Sequence, residues 1–159
     1  MNVYFSCSLT GGRNEEGVYR AIVDHLLTAG HDVPTAHLAR PEVMSLERVV
    51  DPQEVYGRDV AWIQACDAVV AEVSTPSHGV GYEIAYALSL DKPVLCCYRE
   101  GATVSKMILG NNSPGLTVRS YQRPAEALLI VDQFLEAMNH GTPESTRQDS
   151  LARPRQLPD

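Results

Sequence analysis

The chain has 159 residues, 44% of them hydrophobic, and a formal net charge of -7. That length and apolar fraction suit one globular domain with a single core and leave no room for a second. The acidic balance, with no cluster of Lys or Arg, argues against a protein that coats nucleic acid, because counterion-release binding needs a basic surface. No basic segment followed by a long apolar run opens the chain, and no stretch of about 18 apolar residues occurs, so a cytoplasmic protein without a membrane span is expected. Cys7, Cys66, Cys96 and Cys97 form no C-x-x-C pair, which disfavours a metal or disulfide framework.

Asn2 to Cys7 is a β-prone run ending in the polar turn Ser8-Leu9-Thr10-Gly11-Gly12-Arg13, which leads into a helical pattern from Glu15 to Ala29. Gly30 stops that helix, and His31 to Leu38 is expected as a second strand, followed by a less regular stretch from Arg40 to Val50. At Asp51-Pro52-Gln53-Glu54 an N-cap Asp, a Pro at the first helical position and a Glu three residues after the cap agree on a helix running to about Ala65. Asp67 to Val73 is dense in β-branched residues and reads as a central strand. Ser74 to Gly79 is a turn, Val80 to Leu90 a helix, Val94 to Tyr98 a strand, and Thr103 to Leu109 a short helix. Leu116 to Tyr121 makes a fifth strand and Pro124 to Met138 a last amphipathic helix. From Gly141 onward Pro, Ser, Arg, Gln and Asp dominate, and residues 141–159 are expected to be a disordered tail.

Strands alternating with helices predict an α/β fold, a flavodoxin-like three-layer sandwich around a five-stranded mostly parallel sheet of order 2-1-3-4-5. Ligands bind beyond the carboxyl ends of strands at the switch point of such a sheet, so the loops Ser8 to Arg13 and Ser74 to Gly79 are expected to wall one pocket. Two carboxylates stand out there. Glu83 is the lone acid in a helix of apolar and small residues, following Gly79 and Gly81; the plain alternative is an early-turn Glu favoured by the helix dipole. Asp59 interrupts the apolar stripe of Val55, Trp62, Ile63 and Cys66, where the plain alternative is an Asp satisfied by loop N–H groups. Paired acids are the usual apparatus for breaking a glycosidic bond through an oxocarbenium-like transition state. The Ser, Thr and Gly residues of the two loops suit a phosphate, although neither G-x-x-x-x-G-K-[ST] nor G-x-G-x-x-G is present. Of five scattered histidines, His37 and His78 fall near the pocket rim.

Taken together, Tyr4-Phe5 through Gly11-Gly12-Arg13, Asp59-Val60-Ala61-Trp62, Val69 to Val73 and Pro76-Ser77-His78-Gly79-Val80-Gly81-Tyr82-Glu83 resemble the 2'-deoxynucleoside 5'-monophosphate N-glycosidases of the nucleoside 2-deoxyribosyltransferase superfamily. The similarity covers about Val3 to Met138 and makes residues 1–140 a catalytic domain of that type. It implies that Glu83 attacks the anomeric carbon, that Asp59 assists the departing base, and that Tyr4 lies beside sugar and nucleophile. It further implies that Ser8, Gly11, Gly12, Ser77 and Gly79 hold the 5'-phosphate, with Leu9, Thr10, Arg13, His37 and Met107 completing the substrate-binding set. Val104-Ser105-Lys106-Met107-Ile108 also matches, which implies a homodimer in which Ser105 reaches the neighbouring subunit's phosphate. Thr10 stands where better-known members carry an arginine, a departure that removes a bidentate phosphate contact. No metal or cofactor is implied. A transferase acting on a second base, a ribonucleotide hydrolase cleaving CMP, and a non-catalytic nucleotide sensor are the competing readings.

Overall fold

The computed structural model describes residues 1–43, 45 and 49–140; the tail at 141–159 lies outside the described residues. Strands β1 (Val3–Ser6), β2 (Ala68–Glu72), β3 (Val94–Arg99) and β4 (Leu116–Tyr121) form one parallel sheet in the order β1-β2-β3-β4. The helices are α1 (Glu16–Thr28), α2 (Pro52–Ala65), α3 (His78–Ser89), a short α4 (Lys106–Leu109) and α5 (Pro124–His140). Among the described residues no helix is long and apolar enough to cross a membrane.

Strands β1, β2 and β3 are nearly continuous apolar runs because both sheet faces are covered there, whereas the edge strand β4 is mostly half-buried or exposed. Side chains alternate between the faces with the strand period of two. Val3, Phe5, Val70, Leu95 and Cys97 therefore pack with Tyr19, Ile22 and Leu26 of α1 and with Val131 and Leu135 of α5. Tyr4, Val69, Ala71, Val94 and Cys96 pack on the other face with Ile63 of α2 and Val80 and Ile84 of α3. Each such aliphatic side chain, fully withdrawn from water, contributes about 1.5–3 kcal/mol. The vicinal Cys96 and Cys97 are thus buried in different halves of the core, and all four cysteines are free.

The expected sheet of five strands in the order 2-1-3-4-5 is corrected to four in the order β1-β2-β3-β4. The segment expected as strand two makes only a single parallel bridge, Asn2 to Asp32, beside β1. The backbone then leaves the sheet. Pro34 has no N–H to give, Ala36 N–H turns back to the Val33 carbonyl at 3.0 Å, and a 3-10 turn follows over Ala36–Ala39. The buried Phe5 N–H, which a second strand would have accepted by backbone, instead donates to Thr35 Oγ1 at 2.9 Å. One side chain closes this edge in place of a strand.

Two ties hold the carboxyl ends of the strands, where the loops of interest begin. Arg99 at the end of β3 grips the Glu15 carboxylate ahead of α1 with both Nε (2.7 Å) and Nη2. Glu72, fully buried at the end of β2, accepts from Tyr121 Oη at 2.8 Å, from the Ser74 hydroxyl and from Ser74 N–H at 3.3 Å. Burial pushes its carboxyl pKa up, against the pull of those three donors.

Candidate active site

Strand periodicity decides which groups meet Glu83. Tyr4 faces α2 and α3, and Ser6, two residues on, faces the same way. The Ser6 hydroxyl donates to Glu83 Oε2 across 77 residues of sequence. The Tyr4 hydroxyl is buried against the same carboxyl without a formed hydrogen bond in this geometry. Burial, then the charges of Glu83 and Asp59, push the Tyr4 phenol far above its ordinary range, so it stays a proton donor. Ser6 was not singled out from the sequence; its spacing of two from Tyr4 was the available signal.

Helix α3 starts earlier than expected. Ser77 is its N-cap, accepting from Val80 N–H at 3.5 Å, and His78 is its first residue. Glu83 consequently lies in the second turn, and the first turn carries no acid. The helix-dipole explanation of this residue loses its footing, since that field fades beyond the first turn. Burial raises the Glu83 carboxyl to about 7; the Ser6 and Tyr4 hydroxyls oppose the rise and the Asp59 charge adds to it.

Asp59 comes from α2, which begins as the sequence predicts, with Asp51 capping Gln53 N–H at 2.8 Å and Pro52 at the first helical position. Arg58 Nε holds Asp59 Oδ1 at 2.8 Å while its guanidinium lies 5.0 Å from the Trp62 ring centre. Asp59 and Glu83 line one cleft of about 510 Å³. Its other walls are Leu9 and Thr10 from the first loop, Pro52, Val55, Tyr56, Val60 and Ile63 from α2 and its start, and Gly79 and Tyr82 from α3. The two acids thus share a cavity although 24 residues and a β-strand separate them in sequence.

The two glycine loops touch, although the switch point from which their meeting was expected is absent from the β1-β2-β3-β4 sheet. A Cβ at Gly11 would fall 2.2 Å from the Pro76 carbonyl oxygen and 2.9 Å from Ser8 Oγ, so only glycine lets the loops close on each other. Gly12 adopts φ +112 in the same turn. Ser8 Oγ is fully buried beneath this turn and without a hydrogen-bond partner. At Gly81 nothing of the chain lies within 4 Å of a Cβ position, so its openness serves no internal packing.

Other expected site residues lie apart from this cleft. Ser77, Ser105 and Met107 line a second cavity of about 600 Å³, together with His78 and Gly81, on the far side of the α3 start. Ser105 caps α4 by accepting from Met107 N–H at 3.2 Å, and Met107 is 83% exposed. Arg13 directs its guanidinium at the Leu38 carbonyl (2.9 Å) and the Arg40 carbonyl (3.4 Å), stacking over Tyr19. His37 sits edge-on to Trp62 with ring centres 6.0 Å apart and lines neither cavity.

A parallel α/β sandwich with two acids in a cleft beyond its strand ends defines the class, and the profile of the nucleoside 2-deoxyribosyltransferase family matches residues 3–139. The chain belongs to that family. It is 41% identical over 136 residues to a Methanosarcina barkeri (strain Fusaro / DSM 804) protein named "Putative 2'-deoxynucleoside 5'-phosphate N-hydrolase 1", covering 86% of each chain. It is 35% identical over 158 residues to the 5-hydroxymethyl-dUMP N-hydrolase of Mus musculus, covering 96% of this chain and 91% of that one. Among solved structures, the CMP N-glycosidase BcmB of Clostridium botulinum superposes with a TM-score of 0.62 at 19% identity, over 83% of this chain and 99% of that one. That likeness is one of fold.

Proposed function

We infer that the chain hydrolyses the N-glycosidic bond of 2'-deoxynucleoside 5'-monophosphates, giving free base and 2-deoxyribose 5-phosphate, with Glu83 as nucleophile. The observation that carries the reading is the shared cleft of Glu83 and Asp59, with the Ser6 and Tyr4 hydroxyls at the Glu83 carboxyl. The names of the relatives point to the same bond in the same class of substrate.

In this mechanism a Glu83 oxygen attacks C1', the C1'–N bond breaks, and its electron pair leaves with the base, whose edge Asp59 meets. Water then attacks C1' and breaks the glycosyl ester, returning Glu83 to its carboxylate form, and the proton that the water loses balances the one the departed base takes up at its ring nitrogen. A 2-deoxyribosyl cation lacks the electron-withdrawing 2'-hydroxyl, so a carboxylate suffices to trap it. Ser6 donates to the nucleophile and, with the Tyr4 hydroxyl beside it, offsets part of the rise that burial causes, so the carboxylate form is reached as pH passes through about 7. The Gly11-Gly12 turn and Ser8 take the 5'-phosphate through backbone N–H groups and a buried hydroxyl. Within one chain Ser105 lies in a different cavity from Glu83, and the exposed Met107 and Leu109 flank it. Both features favour a homodimer in which Ser105 serves the partner's site. The substrate class also suits the cytoplasmic location expected from the sequence.

Release of free base from a panel of deoxynucleoside 5'-monophosphates, including 5-hydroxymethyl-dUMP, tests the reading, with CMP and a deoxynucleoside plus a second free base as comparisons. Glu83→Ala is expected to lose at least about 100-fold in base release. Base release undiminished in that variant would remove Glu83 from the mechanism. Exchange between bases in preference to hydrolysis would make the chain a transferase.

A further inference from the structure

The geometry points to a base-reading wall made of Tyr56 and Tyr82, on which the planar ring of the leaving base stacks; this rests on the glycosidase reading of the cleft. Large aromatic side chains normally contribute by burial, yet Tyr56 is 58% and Tyr82 50% exposed while both line the cavity that holds Glu83 and Asp59. Tyr56 lies one helical turn before Asp59, and Tyr82 directly precedes Glu83. The rings are not loose. Their centres are 6.2 Å apart at 55°, and their hydroxyl oxygens are 3.3 Å apart.

Tyr82 is backed in turn by Tyr86, nearly parallel at 14° with centres 6.0 Å apart, and Gln64 Nε2 of α2 donates to Tyr86 Oη at 2.8 Å. Tyr56 and Tyr82 therefore bridge α2 and α3 at the cleft, with Tyr86 behind them. Around them the wall is Val50, Pro52, Val55 and Val60. A nucleotide with C1' at Glu83 and its glycosidic nitrogen toward Asp59 has to send its base into this apolar, aromatic part. Stacking on tyrosine faces needs only a π surface, so the wall accepts every base and favours the larger purine rings.

The test separates base binding from sugar-phosphate binding. In a Glu83→Gln background, which removes the nucleophile, calorimetry measures affinity for dGMP and for 2-deoxyribose 5-phosphate, before and after Tyr56→Ala and Tyr82→Ala. The expected result is a loss of dGMP affinity on the order of tenfold to a hundredfold, with 2-deoxyribose 5-phosphate bound as before. Tyr56→Phe with Tyr82→Phe keeps the ring faces and is expected to hold dGMP within about threefold. Unchanged dGMP affinity in the alanine variants overturns the wall. So does an equal loss of both ligands or a change in oligomeric mass, which would assign the rings to a subunit interface, and so does absence of dGMP binding before the tyrosines are changed. Normal turnover by the native chain alongside any of these results removes the wall and leaves the glycosidase.

Discussion

At the scale of single residues the defining feature is a carboxylate whose protein surroundings pull it in two directions. Withdrawal from water raises Glu83 to about 7, while the hydroxyl of Ser6 stabilises its charge. A nucleophile must be ionised, so single-turnover base release is expected to rise with pH through about 7 and then level off; a profile flat from pH 5 to 8 would contradict this assignment. The same shift has a consequence for stability, of opposite sign to the common carboxylate case. The folded state binds a proton between 4.5 and about 7 where the unfolded chain does not. Its stabilising contribution is thus complete below the unfolded pKa and lost as pH rises through the folded one. Glu83→Gln is expected to be more stable than the native chain at pH 8, by up to about 3 kcal/mol, with the difference closing toward pH 4.5. Urea unfolding at both pH values measures it.

Among secondary-structure elements, the ends of the strands carry the stakes, because each loop that forms the site leaves one of them. The β1 and β2 loops meet at Gly11, where a side chain would strike the Pro76 carbonyl. Gly11→Ala must force the loops apart, and a cost of about 1–3 kcal/mol together with a KM raised about tenfold is expected from denaturation and steady-state kinetics. A KM equal to that of the native chain would show that the loop contact does not shape substrate binding. Beneath the β2 loop, Glu72 joins Tyr121 on β4 to Ser74. Glu72→Ala leaves the Tyr121 hydroxyl and Ser74 N–H facing no acceptor and is expected to cost about 2–4 kcal/mol. Glu72→Gln keeps one carbonyl acceptor for Tyr121 and the Ser74 hydroxyl, sets an amide NH2 against Ser74 N–H and removes a buried charge, so its cost is expected to be smaller, about 1–2 kcal/mol. Equal losses in the two variants would mean that the charge itself, rather than the acceptor, holds the loop.

For the whole molecule the question is whether the two cavities on either side of α3 serve one site. If Ser105 acts across a dimer, a mixture of Glu83→Ala and Ser105→Ala chains regains activity that neither homodimer has, since the mixed dimer contains one site with both residues intact. After subunit exchange at equal amounts roughly a quarter of all sites are whole. Activity equal to the mean of the two separate variants would place Ser105 in its own chain's chemistry or outside the chemistry altogether.

Local patterns sufficed for much of the architecture. The cap Asp51-Pro52 marked the start of α2, the β-branched run before Ser74 marked β2, and their alternation with helices implied a parallel sheet, because these signals act between near neighbours. Glu83 was legible as the lone acid of an apolar helix and Asp59 as an interruption of an apolar stripe. What lies beyond such patterns is pairing over long sequence distance. Thr35 sealing the β1 edge, Ser6 reaching Glu83 and Tyr56 of α2 meeting Tyr82 of α3 exist only once the chain has closed on itself. The sequence by itself determined which groups were available and which elements carry them. Tertiary packing alone decided which of them meet out of water, and that exclusion of solvent is what turns an ordinary glutamate into one that titrates near neutrality.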